Sequence, residues 1–373
     1  MKVVAAPAPF KGALGPAAAA AAMAAGARAA GADVREVPMA DGGEGTLDAL
    51  VTAPAGRMVR AAARDPLGRP LQAAYGLLPD GTAVVELATA SGFERLSDAE
   101  RDPEATSTAG TGDLIRAALD GGCRRIVLGV GGSATTDGGL GIVVALGARA
   151  LDAAGEELPG TGGTLAAVRR VDLSGLDPRL GTVPVEVACD VANPFAGPDG
   201  AARVFAPQKG ADAQAVERLD SGLMNLAAVL VHQGCPDIVR MPRAGAAGGA
   251  AGGLAAMIGA RLVDGGAVVA RAVGLADALA DADLCLTGEG RLDGQTRAGK
   301  APAVVAAACA QAGVPCVGLF GGVDLLPAEA RAMGFAQVRP IASASRPHAA
   351  ALAATAEDLE ATTAEVVSLR ASS

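Results

Sequence analysis

The stretch RIVLGVGGSATTDGGLG, Arg125 to Gly141, constrains this chain more than any other part of it. It sets a short apolar run against a glycine turn, small hydroxyl residues, one carboxylate and more glycine. Ile126 to Leu128 predicts a buried parallel strand and Gly139 to Leu151 a helix, so the loop between them falls at a strand's carboxyl end, where open α/β sheets place ligands. Backbone N–H groups in such a loop can converge on a phosphate, and Ser133, Thr135 and Thr136 add hydroxyls. Asp137 at the helix entrance is either a metal-capable carboxylate or an ordinary helix cap. Three stretches of similar texture, DGGEGT at Asp41, CDVANP at Cys189 and GEGRLDGQTRAGK at Gly288, point to a site assembled from several strand ends.

With 373 residues, 51% of them hydrophobic, the chain can bury a sizeable core and is expected to form two domains. A net charge of −9 argues against nucleic acid or an anionic membrane face as main partner. The six cysteines show no CxxC spacing and predict reduced core thiols in a cytosolic protein. Pro7, Pro9 and Lys11 interrupt the apolar start before it reaches the length of a secretory signal, and no transmembrane segment is expected.

Of 31 basic residues only Lys2, Lys11, Lys209 and Lys300 are lysines, so a lysine here runs against the chain's own preference for arginine. Three of the four sit beside glycine, in FKG, QKG and AGK. A compact ammonium on a flexible stem approaches a transferring phosphoryl group as a point charge, which a planar guanidinium does less well.

Lys2 to Ala6 predicts a first strand, Pro16 to Ala30 a helix with Pro16 in its first turn, and Val34 to Pro38 a second strand. PMADGGEGT then brings Asp41 and Glu44 to the carboxyl edge, where they suit a metal or substrate hydroxyls, or form a solvated turn. Gly56 to Leu87 predicts antiparallel strands outside the first sheet, ending in VELATASG, where Glu86 is either structural or part of the site. TSTAGTG (Thr106 to Gly112) caps a helix reaching Asp120. VPVEVACDV is another buried strand with Asp190 at its end, and Asn193 beyond it has a specific amide role or makes an Asx turn. Asp283 to Thr287 predicts a strand, Ala301 to Ala312 a helix, and Ala349 to Leu369 a closing helix.

GQTRAGKA nearly matches the phosphate loop, but Ala301 replaces its hydroxyl residue; Lys300 can still meet a phosphate at a helix N-terminus. GVGGSA also fits a dinucleotide fingerprint with Asp152 about twenty residues on, which keeps an NAD-dependent 2-hydroxy-acid dehydrogenase as an alternative. A nucleotide-binding regulator is a third class. Several acidic loops and retained lysines fit phosphoryl transfer better, with carboxylates for magnesium and lysines for the moving phosphoryl.

The ordered blocks FKG, PMADGGEGT, VELATASG, GTGDLIRAAL, GVGGSATTDGGLG, VACDVANP, PQKGA, PRAGAAGG and LTGEGRLDGQTRAGKAP resemble the bacterial glycerate kinases of the first type over nearly the whole length. The resemblance implies phosphorylation of D-glycerate, usually to 2-phosphoglycerate, with ATP and Mg2+, in a cytoplasmic α/β protein of two domains with the active site in the cleft between them. A flavodoxin- or Rossmann-like parallel-sheet domain is expected from residues 1–55 and 281–373 with part of 105–150, and an inserted mixed α/β domain from 56–280. On that frame the catalytic candidates are Lys11, Asp190, Lys209 and Asp293. The nucleotide candidates are Gly131, Gly132, Ser133, Thr135, Gly288, Glu289, Gly290 and Lys300. Asp41, Glu44, Glu86 and Asn193 are the substrate candidates, and Asp137 and Asp190 the metal candidates. Four positions depart from the family: Ala8 and Pro9 replace Asp and Ser in the first loop, Ala109 replaces a Tyr, and Arg243 replaces a Gly.

Overall fold

The computed structural model describes residues 1–43, 45–52, 56–297, 299–341 and 346–371. They fall into two compact units: Met1–Asp41, Asp48–Ala55 and Gly266–Ser373 form the first, Gly42–Leu47 and Gly56–Gly265 the second. Residues 105–150 lie within the second unit, and the chain re-enters the first at Gly266.

The first unit is built on a five-stranded sheet in the spatial order Gln337–Pro340, Cys316–Val323, Leu284–Leu292, Lys2–Ala5, Asp33–Glu36, with every pairing parallel. Numbered within the unit this is the 2-1-3-4-5 order of flavodoxin-like sheets, whose switch point lies between the first and third strands. Those strands are Lys2–Ala5 and Leu284–Leu292, paired through Val3↔Leu284 to Ala5↔Leu286. The helix Pro16–Ala29 starts on a proline, whose missing N–H costs nothing in the first turn, and buries Ala19, Ala20, Met23, Ala24 and Ala27 on one face. It packs against the helix Thr355–Ala371 so closely that a Cβ on Gly26 would lie 2.1 Å from the Glu360 carbonyl oxygen.

The strand Leu284–Leu292 runs five residues beyond its expected end at Thr287. Its glycines do not turn the chain, because parallel bonding to Cys316–Val323 continues to Leu292↔Val323. Gly288 is needed there for space, since a Cβ would meet the Leu319 carbonyl oxygen at 1.8 Å. The closing helix is two helices, His348–Ala353 and Thr355–Ala371.

The second unit has a six-stranded sheet in the order Arg261–Asp264, Val185–Cys189, Arg125–Gly129, Thr82–Glu86, Pro70–Leu77, Arg57–Arg64. The first four are parallel, and the last two continue the sheet as an antiparallel edge. Its core gathers the fully buried Leu114, Ile115, Ile126, Leu128, Leu140, Ile142 and Phe195. The expected helix over 139–151 is a shorter one, Leu140–Ala145, followed by a strand, Arg149–Leu151, that pairs antiparallel with Arg170–Asp172. The break falls where Gly147 takes a φ of 108°. No helix among the described residues is long and apolar enough to cross a membrane. All six cysteines are free thiols, and all but the half-buried Cys235 are buried.

Candidate active site

Each unit carries one polar cluster at the carboxyl ends of its parallel strands. In the first unit the cluster lies at the switch point, where the loop after Lys2–Ala5 meets the far half of Leu284–Leu292. The Ala8 N–H donates to the Gly288 carbonyl at 2.8 Å, and the backbone nitrogen of Lys11 lies 3.7 Å from where a Cβ on Gly290 would stand. Glu289 is buried and accepts the Thr296 hydroxyl at 2.7 Å. Burial pushes its carboxyl above the usual range; the Thr296 bond and the Lys300 charge oppose this, and the charges of Asp41 and Asp293 add to it. Lys300 is the N-cap of the helix Ala301–Ala312, with Pro302 in the first turn, so its ammonium is carried at the positive end of a twelve-residue helix. Asp293 accepts the Thr296 N–H at 3.2 Å and so caps the short turn Gly294–Arg297.

In the second unit the organising loop leaves the strand Arg125–Gly129 through a turn in which Gly132 has a φ of 69°. A cavity of about 140 Å³ opens against it, lined by Gly131, Gly132, Ser133, Gln208, Lys209 and Asp190, with Phe93, Val130, Val191, Phe205, Ala246 and Ala247 forming its apolar part. Asp190 is exposed at the end of Val185–Cys189. Lys209 is buried, yet its ammonium donates to Ser133 Oγ at 2.7 Å and to the Thr135 carbonyl at 2.5 Å. Burial lowers its pKa to about 7, with the Asp137 charge acting in the opposite direction.

The loop is held from behind by the TSTAGTG segment. Thr106 Oγ1 donates to the Ala134 carbonyl at 3.0 Å, and the Thr108 N–H and hydroxyl both donate to Asp137 Oδ2 at 2.7 Å. Asp137 also accepts the N–H groups of Gly139 and Gly141. Its carboxylate is fully buried and occupied by these donors, so it caps the helix entrance and the expected metal role is withdrawn. Burial raises its pKa and the four donors work against that rise.

Other candidates separate in the same way. The Thr135 side chain is fully buried with Oγ1 unpartnered, so Thr135 serves the cavity through its carbonyl, which holds Lys209. Glu86 is buried and accepts the Gly45 N–H at 3.0 Å, tying the DGGEGT loop to the strand Thr82–Glu86. Asn193 donates its amide to the Asp199 carbonyl at 2.9 Å, closing its own loop. Glu44 lies outside the described residues. The dinucleotide fingerprint fails because no helix begins at its end: the next one starts at Leu140, and Asp152 accepts the N–H groups of Ala154 and Glu156 in a turn. Gln208, Phe93 and Phe205 line the cavity without being among the sequence candidates; Gln208 lies within the PQKGA block and Phe93 directly follows VELATASG, and that placement is their signal in the sequence.

Among the described residues no group of three or more His, Cys, Asp or Glu is placed to hold a metal. Magnesium bound by one or two carboxylates plus substrate phosphates needs no such cage, and Asp190 fits that mode.

A flavodoxin-ordered parallel sheet and a second parallel-dominated sheet, each with glycine turns and a lysine at its strand ends, define an α/β protein equipped to bind phosphate. The same architecture covers a crystal structure from Salmonella typhimurium LT2 assigned to glycerate kinase 2: the TM-score is 0.89 at 41% identity, over 100% of this chain and 98% of that one. The sequence profile of the glycerate kinase family matches residues 3–371, and the chain belongs to that family. It is similar to the glycerate kinase of Bacillus subtilis (strain 168), 44% identical over 87% of this chain and 86% of that protein. The glycerate 2-kinase of Escherichia coli (strain K12) is 43% identical, with the same two coverages.

Proposed function

We propose that the protein is a cytoplasmic kinase that transfers the γ-phosphoryl of ATP to the 2-hydroxyl of D-glycerate, with Mg2+ as cofactor. The observation that carries this reading is Lys209: a lysine in an arginine-rich chain, buried beside the glycine turn of Gly131 and Gly132 and sharing a cavity with Asp190. A buried lysine with a pKa of about 7 takes up a proton when an anion arrives, so binding and charge neutralisation are coupled. Phosphoryl transfer asks the protein mainly for positioning and for positive charge on the transferring oxygens.

In the second unit Gly131, Gly132 and Ser133 supply the turn, Lys209 the charge and Asp190 a carboxylate that would hold magnesium, which would offset phosphate charge. In the first unit Lys300 at its helix N-terminus and Lys11 add charge for phosphate or carboxylate groups. Asp41, Glu289 and Asp293 offer acceptors for substrate hydroxyls, and burial, by raising the Glu289 carboxyl above its usual range, makes it a better proton acceptor than a solvated carboxylate. ADP release coupled to D-glycerate tests the reaction, with tartronate and lactate as competing acceptors. Phosphorus NMR of the product identifies the hydroxyl, because a phosphate on carbon 2 couples to one proton and on carbon 3 to two. A triplet would transfer the reading to the 3-hydroxyl, and absence of ADP would end it.

A further inference from the structure

Ser133 and Lys209 make an arrangement that phosphate binding does not require. Ser133 Oγ and Lys209 Nζ are 2.7 Å apart, and both residues are buried although their polar atoms border the cavity. The second partner of Nζ is the Thr135 carbonyl, a neutral acceptor that orients the amine without demanding that it stay charged. The charged group that acts on Lys209 is Asp137, whose own oxygens are occupied by Thr108, Gly139 and Gly141. A serine hydroxyl held against a desolvated lysine is the nucleophile and base pair of serine–lysine hydrolases, in which the neutral amine takes the hydroxyl proton. Gly132, in the left-handed region, places Ser133 immediately after the turn.

We propose that Ser133 is an activated nucleophile with Lys209 as its general base, and that the cavity cleaves small uncharged esters through an acyl-serine. Ser133 Oγ bonds to the ester carbonyl carbon while its proton passes to Lys209 Nζ. The carbon–oxygen bond to the alkoxy group then breaks, and the leaving alcohol takes that proton. Water hydrolyses the acyl-serine by the reverse route, giving its proton to Lys209 and returning the hydroxyl to Ser133. The substrate class follows from the lining. A cavity of about 140 Å³ admits a small acyl group and leaves a larger leaving group at its open side, and with Lys209 neutral its charged residue is Asp190, which repels carboxylates. This activity is separate from the kinase reading and is measured with neither nucleotide nor glycerate present.

The test uses the full chain with phenylmethanesulfonyl fluoride as covalent probe and p-nitrophenyl acetate as ester. The expected result is one sulfonyl group per chain, located on Ser133 by peptide mass spectrometry, and ester cleavage that falls at least tenfold in Ser133→Ala and in Lys209→Met. The rate should rise with pH and level off above about 7, where Lys209 is free base. Ser133→Cys guards against a folding defect: its alkylation by iodoacetamide should slow at least tenfold when Lys209→Met is added. Label on another residue, or equal cleavage in Ser133→Ala with an unchanged melting temperature, overturns the proposal whatever the ADP assay gives. So does alkylation of Ser133→Cys that is indifferent to Lys209.

Discussion

Replacing Lys209 by Met should make the protein inactive as a kinase and, at neutral pH, more stable. The folded pKa of Lys209 is lowered from its ordinary 10.5 to about 7. Below about pH 7 both folded and unfolded chains carry the proton, and the folded chain bears the full penalty of a buried charge. Above 10.5 neither does and the penalty is gone. Between these values the unfolded chain binds more protons, so stability rises with pH. At roughly 1.4 kcal/mol per pH unit the whole penalty is on the order of 5 kcal/mol. Methionine fills similar space but leaves Ser133 Oγ and the Thr135 carbonyl without their donor, which costs about 1–3 kcal/mol in return. The firmer quantity is the slope: between pH 7.5 and 9.5 the native protein should gain about 2–3 kcal/mol relative to Lys209→Met. Urea unfolding of both proteins at the two pH values reads this directly. Parallel stability curves would mean that Lys209 is not desolvated in the folded state, and the argument from its burial would collapse.

Lys300→Met should lower turnover about a hundredfold, roughly 3 kcal/mol of transition-state stabilisation, with little change in unfolding; steady-state kinetics and a melting curve check the pair of expectations. Asp137→Asn keeps the shape but places an amide N–H2 among donors, and should cost about 2–4 kcal/mol by calorimetry while lowering the Lys209 pKa further. Gly248→Ala forces a Cβ to 2.1 Å from the Thr135 carbonyl oxygen at a φ of 65°, and should destabilise by more than about 2 kcal/mol and displace the Lys209 acceptor, seen as lost turnover. Arg243 stands at φ 71°, a conformation that favours glycine, and pairs with Asp264 at 3.1 Å; Arg243→Gly should relieve about 1 kcal/mol of backbone strain and surrender an ion pair of smaller worth, so its melting temperature should be equal or higher.

The strand-and-loop texture around Arg125 was legible because a continuous apolar run followed by glycine has few other ways to fold. The three inner strands of the first unit's sheet were legible for the same reason, whereas its edge strands, Asp33–Glu36 and Gln337–Pro340, mix single apolar residues with charged or polar ones. Features set by neighbours distant in sequence were not. GEGRL looks like a loop in isolation and is strand because bonding to Cys316–Val323 holds it to Leu292. Gly139 to Leu151 has helical composition throughout, and only Gly147 hints that the helix stops short. Asp137 and Ser133 occupy the same loop, and their types gave equal title to a metal or a phosphate. What separates them is the partner each meets: Thr108 fills one, Lys209 approaches the other. The lysine count singled out Lys209, but nothing in the local sequence foretold its burial.

The RAGAAGGAAGG segment shows where change would be least tolerated. Thr135 is fixed by Gly248, and the Phe195 ring lies where Cβ atoms on Gly249 and Gly252 would come within 2.8 Å and 2.7 Å of it. The loop that carries Ser133 is thus kept in place partly by an absence of side chains, on residues that do not line the cavity. A saturation library scored for activity would therefore show two kinds of forbidden position. At Lys209 and Asp190 the forbidden changes follow chemistry, and some replacements fail while leaving the protein folded. At Gly248, Gly249 and Gly252 they follow volume alone: every one of the nineteen alternatives fails, the smallest included, and the map of intolerance extends beyond the map of chemistry.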